Sequence, residues 1–593
     1  MMPSKTALLA TALFPLMASA ALAAGPVTAI TGAMVFDGTG AAPTAATVWI
    51  EDGRIKALGP DVKVPRGATR IDARGKALLP GFLDVHTHWT PGGAPNTTPQ
   101  IATAYVKAGV TTVNDFHQQP ESYAPRREWL KQLATPHVHF AARVSTPGGH
   151  GADWGDQSTT IWVSTPEAAR AAVQSLDAYK PDLIKAFADG WRYGTSPDNT
   201  SMDEWTLQAL SQEAHKRGWP VLTHTVTVER GLVAARGEVD SLAHGLQDRP
   251  ISAAEVAAIK ASGMAMAPTL AVYNPDKPRA TPVDPADPRY VQSVRKFGYA
   301  LQNVKALFDA GVPIALGTDA GMPGTPHGVS TLQEMELLVK AGLSPAQALV
   351  AGTATSARVM RLDGDRGTIS PGKRADIVLI DGKPWDQIAD VHKISHVFID
   401  GRLVSGAGAA PMPAANSANR LPAVTVTALI DDFERTDRRS ALDTLRLETP
   451  DGGHDRTVEI TQVVPRDGGG KALALSARMA VKEAPYAGFA VPLTRGSVVP
   501  VDVSSFKGVR FDLKGDGDYR IRINGLDGAW EAAVTGAEQW ASKEIPFSAF
   551  KPVARGRQGG ASWTGQDVTQ VELGGTRPGG QRMWLQVDNI SFY

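Results

Sequence analysis

The chain has 593 residues, 43% of them hydrophobic, and its 60 Lys and Arg residues balance its 60 Asp and Glu residues. The length exceeds one ordinary domain, the hydrophobic share excludes a disordered chain, and the zero net charge argues against electrostatic binding of nucleic acid or a membrane surface. The absence of cysteine excludes disulfides, thiol nucleophiles and cysteine metal ligands, so a metal site would need His, Asp, Glu or Lys.

The N-terminus predicts a secretory signal peptide over residues 1–23. Lys5 precedes an apolar stretch from Thr6 to Ala18, and Ala21-Leu-Ala23 fits the small-residue pattern of a cleavage site. The alternative is a membrane anchor, but the stretch is shorter than the roughly 20 residues that span a bilayer. We therefore expect an exported protein, periplasmic or secreted, with no membrane span.

Short strands and turns run from Val27 to Leu79 and include a hairpin over Val48–Leu58 with a Glu-Asp-Gly turn. From Gly81 to about Gly367, apolar strand-like runs alternate with amphipathic helical segments. These runs are GFLDVHTH, GVTTVNDF, VHFAARVS, PDLIKAFAD, PVLTHT, VDSLAHG, MAMAPTLAVY and VPIALGTDAG. Eight β-then-α units over about 290 residues predict a (β/α)8 TIM barrel.

Strand–turn–strand segments follow the barrel at Arg374–Asp381 and Val397–Val404 and resemble the N-terminal hairpin. Both ends of this region therefore predict one small β-sandwich into which the barrel is inserted. A linker rich in Ala, Pro, Ser and Asn comes next, and the remaining strand-rich segment, with many Gly and Asp turns, predicts an all-β domain. The predicted domains are the β-sandwich over 24–80 and 368–406, the barrel over 81–367, the linker over 407–428 and the all-β domain over 429–593.

His86 and His88 end the first apolar run of the barrel. Residues i and i+2 of a strand point to the same side, so both imidazoles would face one point, which suits a metal ion. Two surface histidines at a strand end are the alternative. Catalytic side chains of such barrels lie at the C-terminal ends of the strands, and the other strand ends supply Lys185, His224, His244 and Asp319. Four of the chain's 13 histidines at one rim favour a metal site.

The segments around these residues resemble the amidohydrolase superfamily, in its imidazolonepropionase-like and prolidase-type branches. The resemblance runs from about Val27 to Gly406 and rests on LPGFLDVHTH, AGVTTVNDF, DLIKAFADG, VLTHT, DSLAHG, LGTDAG and GTISPGKRADIVLID. It implies two divalent ions, held by His86, His88 and Asp319 and by His224 and His244. It further implies that Lys185 is carboxylated on its ε-amine, giving N6-carboxylysine, and bridges both ions. An unmodified lysine beside a single ion is the alternative.

The implied chemistry is hydrolysis by metal-activated water, because metal binding lowers the pKa of water to about 7. Asp319 would take the proton of that water and pass it to the leaving amine. Histidine and aspartate ligands favour Zn²⁺, with Mn²⁺, Fe²⁺ and Co²⁺ as alternatives. The resemblance implies dipeptide or N-acyl amino acid substrates. A lactone, a cyclic amide, another C–N or C–O bond, or a non-catalytic carbohydrate-binding role are the other hypotheses.

Further residues in the predicted rim loops are candidates for substrate binding. His150 lies in a Gly-rich loop after the third strand, Tyr273 follows the seventh strand, and His327 follows Asp319. Arginines could bind a substrate carboxylate and tryptophans could wall the pocket; these candidates are Arg192, Arg230, Trp89, Trp154 and Trp191. Surface exposure or core packing is the alternative for each of them.

The C-terminal segment resembles the complex-I intermediate-associated protein family. The resemblance covers about Leu429 to Tyr593 and rests on IDDFE, FKGVRFDLKGDG and VDNISFY. It implies a galactose-binding-like jelly roll that contacts a carbohydrate, another protein or a second copy of the chain as a homo-oligomer. Tryptophans that would either stack on a sugar or pack in the core are Trp530, Trp540 and Trp563. The segment contains no catalytic cluster.

Overall fold

A computed structural model describes residues 27–89, 97–152, 158–189, 200–410, 421–452, 455–553 and 562–593. The predicted signal peptide lies outside the described residues, as do Trp154, Trp191 and Arg192. No helix within the described ranges is both long enough and apolar enough to cross a membrane.

The two ends of the first predicted region meet in one mixed sheet. Its strands are Thr28–Val35, Thr44–Glu51, Arg54–Gly59, Thr69–Asp72, Lys76–Pro80, Ile377–Asp381, Ile394–Ile399 and Arg402–Gly406. The predicted hairpin is present, and Asp52 and Gly53 both have positive φ (51° and 76°), as a two-residue hairpin turn of this kind requires. These strands form one hydrogen-bonded sheet, in which a bulge at Gly32 lets the strand Thr28–Val35 pair first with Thr69–Asp72 and then with Lys76–Pro80.

Parallel strands form a second, curled sheet whose spatial order follows the chain order. Its strands are Phe82–Thr87, Val110–Asp115, His137–Ser145, Leu183–Phe187, Val221–His224, Ser241–Leu242 and Ala265–Met266, with Thr160–Trp162 beside the third. Both edges bond to the segment 313–320. The Met266 amide donates to the Pro313 carbonyl and the Val85 amide to the Leu316 carbonyl, both at 2.9 Å. The eighth predicted run therefore lies between the first and the seventh strands.

The seventh predicted strand is shorter than its sequence pattern suggests. The run MAMAPTLAVY contributes a strand only at Ala265–Met266, and Leu270–Tyr273 forms one helical turn. Pro268 has no amide hydrogen for the ladder, and Thr269 has a left-handed φ of 48°. The strand prediction for Leu270–Tyr273 is therefore wrong, and Tyr273 is carried by the helical turn.

Helices cover the curled sheet and pack against it with their apolar faces. They are Thr98–Lys107, Tyr123–Leu130, Pro166–Ser175, Glu204–His215, Val228–Arg236, Ala253–Ala261, Leu270–Tyr273, Pro288–Asp309, Val329–Lys340, Pro345–Val350 and Ser356–Val359. Several begin where the sequence supplies an N-cap. Ser252 and Glu255 form a capping box, as do Ser344 and Gln347.

The C-terminal region is all-β, as predicted. One sheet holds Val424–Thr425, Leu447–Glu448, Ala487–Pro492, Val501–Asp502, Asp518–Gly525, Ala529–Thr535, Lys551–Pro552 and Val568–Gly575. The other holds Leu429–Asp431, Val458–Pro465, Lys471–Arg478, Gly508–Gly515, Ala541–Pro546 and Arg582–Phe592. The two sheets share one apolar core, which includes Trp530. The ring of Trp563 packs edge-on against the ring of Trp530, with 5.1 Å between the ring centroids.

The C-terminal domain contacts the loop that follows the second parallel strand. Arg439 binds the Glu121 carboxylate at 2.7 Å and donates to the Tyr179 hydroxyl at 3.2 Å. The side chain of Glu121 is 3% exposed and that of Arg439 is 18% exposed. Gly496, with a positive φ of 65°, lies so close to this loop that an added Cβ would be 2.4 Å from the Ser122 Cβ. The ion pair and the close approach hold the two domains together.

Arg439→Met is expected to destabilise this contact, because Glu121 would become a buried carboxylate without its guanidinium. Removing one member of a buried ion pair costs about 3–5 kcal/mol, and the partial exposure of Arg439 favours the lower end of that range. Urea unfolding of the full chain should show a lower midpoint than the parent, and the double variant Glu121→Gln/Arg439→Met should recover part of the loss. Equal midpoints for the parent and Arg439→Met would contradict a stabilising role.

Candidate metal centre

The first strand of the curled sheet carries two of the predicted ligands. Gly81 immediately precedes this strand. An added Cβ at this position would lie 2.2 Å from the Thr111 side chain, so only glycine fits where the chain enters the sheet. The pairing of this strand is irregular between Asp84 and Thr87. His86 and His88 face the cavity, whereas Asp84 faces the covering helix Val329–Lys340. Asp84 accepts hydrogen bonds from the Thr318 and Thr331 hydroxyls at 2.7 and 2.8 Å. Burial raises the pKa of Asp84 to about 7 although these hydrogen bonds oppose the shift.

His86, His88 and Asp319 bring three donor atoms together. Asp319 Oδ1 lies 3.1 Å from His86 Nε2 and 2.9 Å from His88 Nε2, and the two nitrogens are 3.4 Å apart. Burial acts to raise the pKa of Asp319, but its interactions with His86 and His88 more than offset this and hold the pKa below its usual value. The carboxylate is therefore ionised at neutral pH, as a metal ligand must be.

The backbone at Asp319 is shaped to present this carboxylate. Asp319 has a φ of 60°, in the left-handed region that non-glycine residues enter at a cost. Its amide donates to the His86 carbonyl at 2.8 Å, which fixes the end of the eighth run against the first strand. Gly317 permits the approach, because an added Cβ would lie 3.0 Å from the His86 Cβ. Strained backbone held in place by its surroundings is typical of functional sites.

His224 and His244 form a second group of donors beside the first. His224 Nδ1 lies 2.8 Å from His244 Nε2, and the rings of His86 and His244 are 4.8 Å apart. One nitrogen of each ring meets the surrounding protein: His86 Nδ1 contacts the Ala243 carbonyl at 2.8 Å and His244 Nδ1 contacts the Thr269 hydroxyl at 2.7 Å. Such outer contacts orient metal-binding imidazoles and leave the other nitrogen facing the centre.

Burial also sets the charge of these rings. It lowers the pKa of His86 to about 3 and the pKa values of His224 and His244 well below the usual range, and the charge of Lys185 acts in the same direction. Neutral imidazole is the form that binds metal. His86, His244 and Asp319 each offer a donor atom within 4.8 Å of the others. The buried, neutral imidazoles and the ionised carboxylate therefore fit a divalent metal centre.

Lys185 lies at the middle of the fourth parallel strand, 1% exposed. Its Nζ is 3.2 Å from His86 Nε2 and faces the rings of Phe116 and Phe187 at 4.6 and 5.5 Å. No carboxylate of the described residues lies within 4 Å of this nitrogen. Burial lowers the pKa of Lys185 to about 7, against the opposing charge of Asp319. A substantial fraction of Lys185 is therefore a neutral amine near pH 7.

A cavity of about 720 Å³ opens onto these donors. Of the other predicted rim residues, His150 and Tyr273 line it, and the ring of His150 is 4.1 Å from that of His224. Arg230 lies instead in the first turn of the helix Val228–Arg236, and His327 contacts the Tyr105 hydroxyl at 3.0 Å; the cavity lining includes neither residue. Trp89 is buried and stacks on Tyr105.

Sequence reasoning missed several residues of the site. His117, Phe187 and Lys277 line the cavity. His117 lies two residues beyond the end of the second strand, so the rule that placed His224 and His244 at strand ends would also have found it. Lys277 comes after a helical turn that the sequence pattern did not reveal, and no local signal identifies it.

Asp189 was also missed, although it lies two residues beyond the strand that carries Lys185. It is buried, and its Oδ2 is 3.4 Å from His224 Nε2, the nitrogen that faces away from His244. Asp189→Asn is therefore expected to weaken zinc binding about 10- to 100-fold, the usual cost of losing an outer partner of a metal ligand. Competition with a chromogenic chelator would measure this affinity, with exposed Asp309→Asn as the control; an unchanged affinity would contradict the assignment.

Comparison with known proteins gives two family matches. Residues 77–404 match the Amidohydrolase family, and residues 464–583 match Complex I intermediate-associated protein 30 (CIA30). The first match covers more than half of the chain. Among curated proteins, an imidazolonepropionase of Geobacillus kaustophilus is 25% identical over 401 residues, which are 61% of this chain and 90% of that protein.

Solved structures share the fold of the same region. A Xaa-Pro dipeptidase with bound methionine in the active site matches with a TM-score of 0.56 and 22% identity, covering 64% of this chain and 100% of that chain. Ochratoxinase of A. niger matches with a TM-score of 0.57 and 20% identity, covering 66% of this chain and 99% of that chain. At these identities the likeness shows the fold alone.

Proposed function

We propose that this chain, which belongs to the amidohydrolase family and carries a C-terminal CIA30 domain, is an exported metal-dependent hydrolase of dipeptides or N-acyl amino acids. The main support for this proposal is that six residues converge in one cavity, where the buried Lys185 is surrounded by His86, His88, His224, His244 and Asp319. The Xaa-Pro dipeptidase among the structural neighbours supports an amide substrate. Export rests on the N-terminal signal pattern.

The proposal includes the complete (β/α)8 barrel as the scaffold of the site. Its support is the pairing of both edges of the curled sheet with the segment 313–320. Strand ends of such a barrel converge at one rim, which explains how residues as far apart as His86 and Asp319 share a site.

We assign two divalent ions to the site, with zinc favoured by the histidine and aspartate donors. His86, His88 and Asp319 would hold one, and His224 and His244 the other. When bound, such ions act as Lewis acids and lower the pKa of water to about 7. Lys185 would link the two groups as a carbamate, since burial disfavours its ammonium form.

Carbamate formation follows from the neutral amine. The lone pair of Lys185 Nζ attacks the carbon of CO₂, an N–C bond forms, one C=O electron pair moves to oxygen, and a proton leaves Nζ for water. The product offers two oxygens that share one negative charge, where the ammonium offered no lone pair.

The remaining steps fall to Asp319. Its ionised carboxylate faces the cavity beside His88 and can accept a proton from the attacking water, then deliver it to the leaving amine nitrogen. Phe187 and Tyr273 line the same cavity and limit the water around this carboxylate.

A mass-spectrometric hydrolysis screen tests the proposal. Zinc-loaded full chain is incubated with dipeptides, N-acyl amino acids, lactones and cyclic amides, with metal content measured in parallel. Cleavage confined to dipeptides or N-acyl amino acids supports the assignment. Cleavage of lactones or cyclic amides alone moves the substrate to those classes, and a chain that retains no divalent ion after dialysis against zinc refutes the metal centre.

A further inference from the structure

The cavity has an uneven distribution of charge. One side carries the metal-binding candidates, and the rest of its lining is mostly apolar or aromatic. The remaining lining residues are His117, His150, Phe187, Val272, Tyr273, Lys277, Gly321, Met322 and Pro323. Within this described lining Asp319 is the only acid, and Lys277 is the only lysine besides Lys185. A ligand in the cavity therefore meets one cation away from the metal donors.

Two loops hold Lys277 in position. It follows the helical turn Leu270–Tyr273, and its Nζ donates to the Val272 carbonyl at 2.5 Å. Its methylenes pack beside Gly324, where an added Cβ would lie 3.1 Å from the lysine Cγ and Cδ and 2.5 Å from the Pro278 carbonyl. Gly324 also has a positive φ of 78°, so glycine fits this turn best. The ammonium is thereby fixed at the cavity wall.

No acidic partner neutralises this ammonium. Lys277 is partly buried, and no carboxylate of the described chain lies within 4 Å of its Nζ. Burial lowers the pKa of Lys277, while the charge of Asp319 acts to raise it. A lysine placed against apolar walls without a counter-ion costs desolvation energy, and an anionic ligand removes that cost.

We propose that Lys277 binds the carboxylate of the substrate, so that the site selects amides whose amino acid carries a free carboxylate. This inference rests on the proposed hydrolase function and names the residue that recognises the carboxylate shared by dipeptides and N-acyl amino acids. The carboxylate would lie against the loops after the seventh and eighth strands, with the amide directed at Asp319. The apolar walls at Phe187 and Met322 would accept the uncharged part of the molecule.

Two probes that differ in charge test the assignment on the zinc-loaded full chain: N-acetyl-L-leucine and N-acetyl-L-leucinamide. Lys277→Met removes the charge and keeps an unbranched stem beside Gly324, Lys277→Arg keeps the charge, and Lys260→Met on an exposed helix position is the matched control. A hydrogen bond to a charged partner predicts that Lys277→Met lowers kcat/KM for the free acid about 10- to 100-fold, mainly through KM.

The amide probe separates recognition from structure. Its kcat/KM should be the same in the parent and in Lys277→Met, while Lys277→Arg should retain most activity on the free acid and Lys260→Met should match the parent. Equal losses on both probes, or no loss on either, would overturn the carboxylate subsite.

Binding measured without turnover tests the carboxylate subsite at Lys277 independently of the proposed hydrolysis. If the parent hydrolyses neither probe, the proposed reaction fails for this class, and calorimetric titration of the same two probes decides on Lys277. A weaker Kd for the free acid in Lys277→Met, with an unchanged Kd for the amide, supports the subsite. Equal Kd values for the free acid, or no binding of it to the parent, overturn the subsite.

Discussion

Replacing Lys185 with alanine is expected to remove most of the hydrolytic activity and to lower the zinc content of the purified chain. Its Nζ lies 3.2 Å from His86 Nε2 in the cavity that His224 and His244 also line, where the proposed carbamate could supply oxygen atoms to both donor groups. Loss of an outer partner of a metal ligand already costs about 10- to 100-fold, so loss of a bridging ligand should cost at least about 100-fold in kcat/KM. Steady-state kinetics and metal analysis of the same preparation measure both effects.

Chemical rescue distinguishes a carbamate from a plain lysine. Lys185→Ala leaves a space beside Phe116 and Phe187 that a short carboxylic acid can enter. Added acetate or propionate should then restore part of the activity and the metal content. Lys185→Met fills the same space with an uncharged side chain and should not respond. Full zinc content in Lys185→Ala without added acid would show that Lys185 is not a bridging ligand.

The unmutated chain offers an independent test of whether Lys185 is carboxylated. Burial lowers the pKa of Lys185 to about 7, so its amine is partly neutral at physiological pH and available to CO₂. Apoprotein reconstituted with zinc in bicarbonate should therefore recover more activity than apoprotein reconstituted in CO₂-free buffer. Equal recovery would favour the mononuclear alternative with an unmodified lysine.

The residues that could be read from the sequence are those at strand ends. Parallel strands end at one rim, so a period-two pair such as His86 and His88 and a single residue such as His224 can be placed together without knowing any distance. Local periodicity sufficed because each strand is a continuous buried run.

Residues that depend on distant partners could not be read in this way. Asp84 is satisfied by hydroxyls 234 and 247 residues away, and Glu121 by an arginine 318 residues away. The helical turn at Leu270–Tyr273 depends on the left-handed backbone of Thr269, for which an apolar run gives no signal. Lys277 enters the cavity only because of that turn, so its role became visible only in three dimensions.

Asp319→Asn is expected to lower kcat about 100- to 10,000-fold, the usual contribution of a positioned general base. Asparagine matches aspartate in size and tolerates the φ of 60° at this position, so the backbone bond to the His86 carbonyl should persist. The amide cannot accept a proton from water, and its oxygen is a weaker metal donor than a carboxylate. The loss should therefore appear in kcat more than in KM.

Two measurements identify the cause of that loss. Asp309→Asn, on the exposed end of the helix Pro288–Asp309, makes the same chemical change away from the cavity and should leave kcat and KM unchanged. Zinc content of Asp319→Asn then separates the two roles of the carboxylate. An inactive variant that retains both ions has lost the proton acceptor, whereas an inactive variant with one ion has lost a ligand. A variant with parental kcat would remove Asp319 from the reaction, since no other acid of the described cavity lining could take its place.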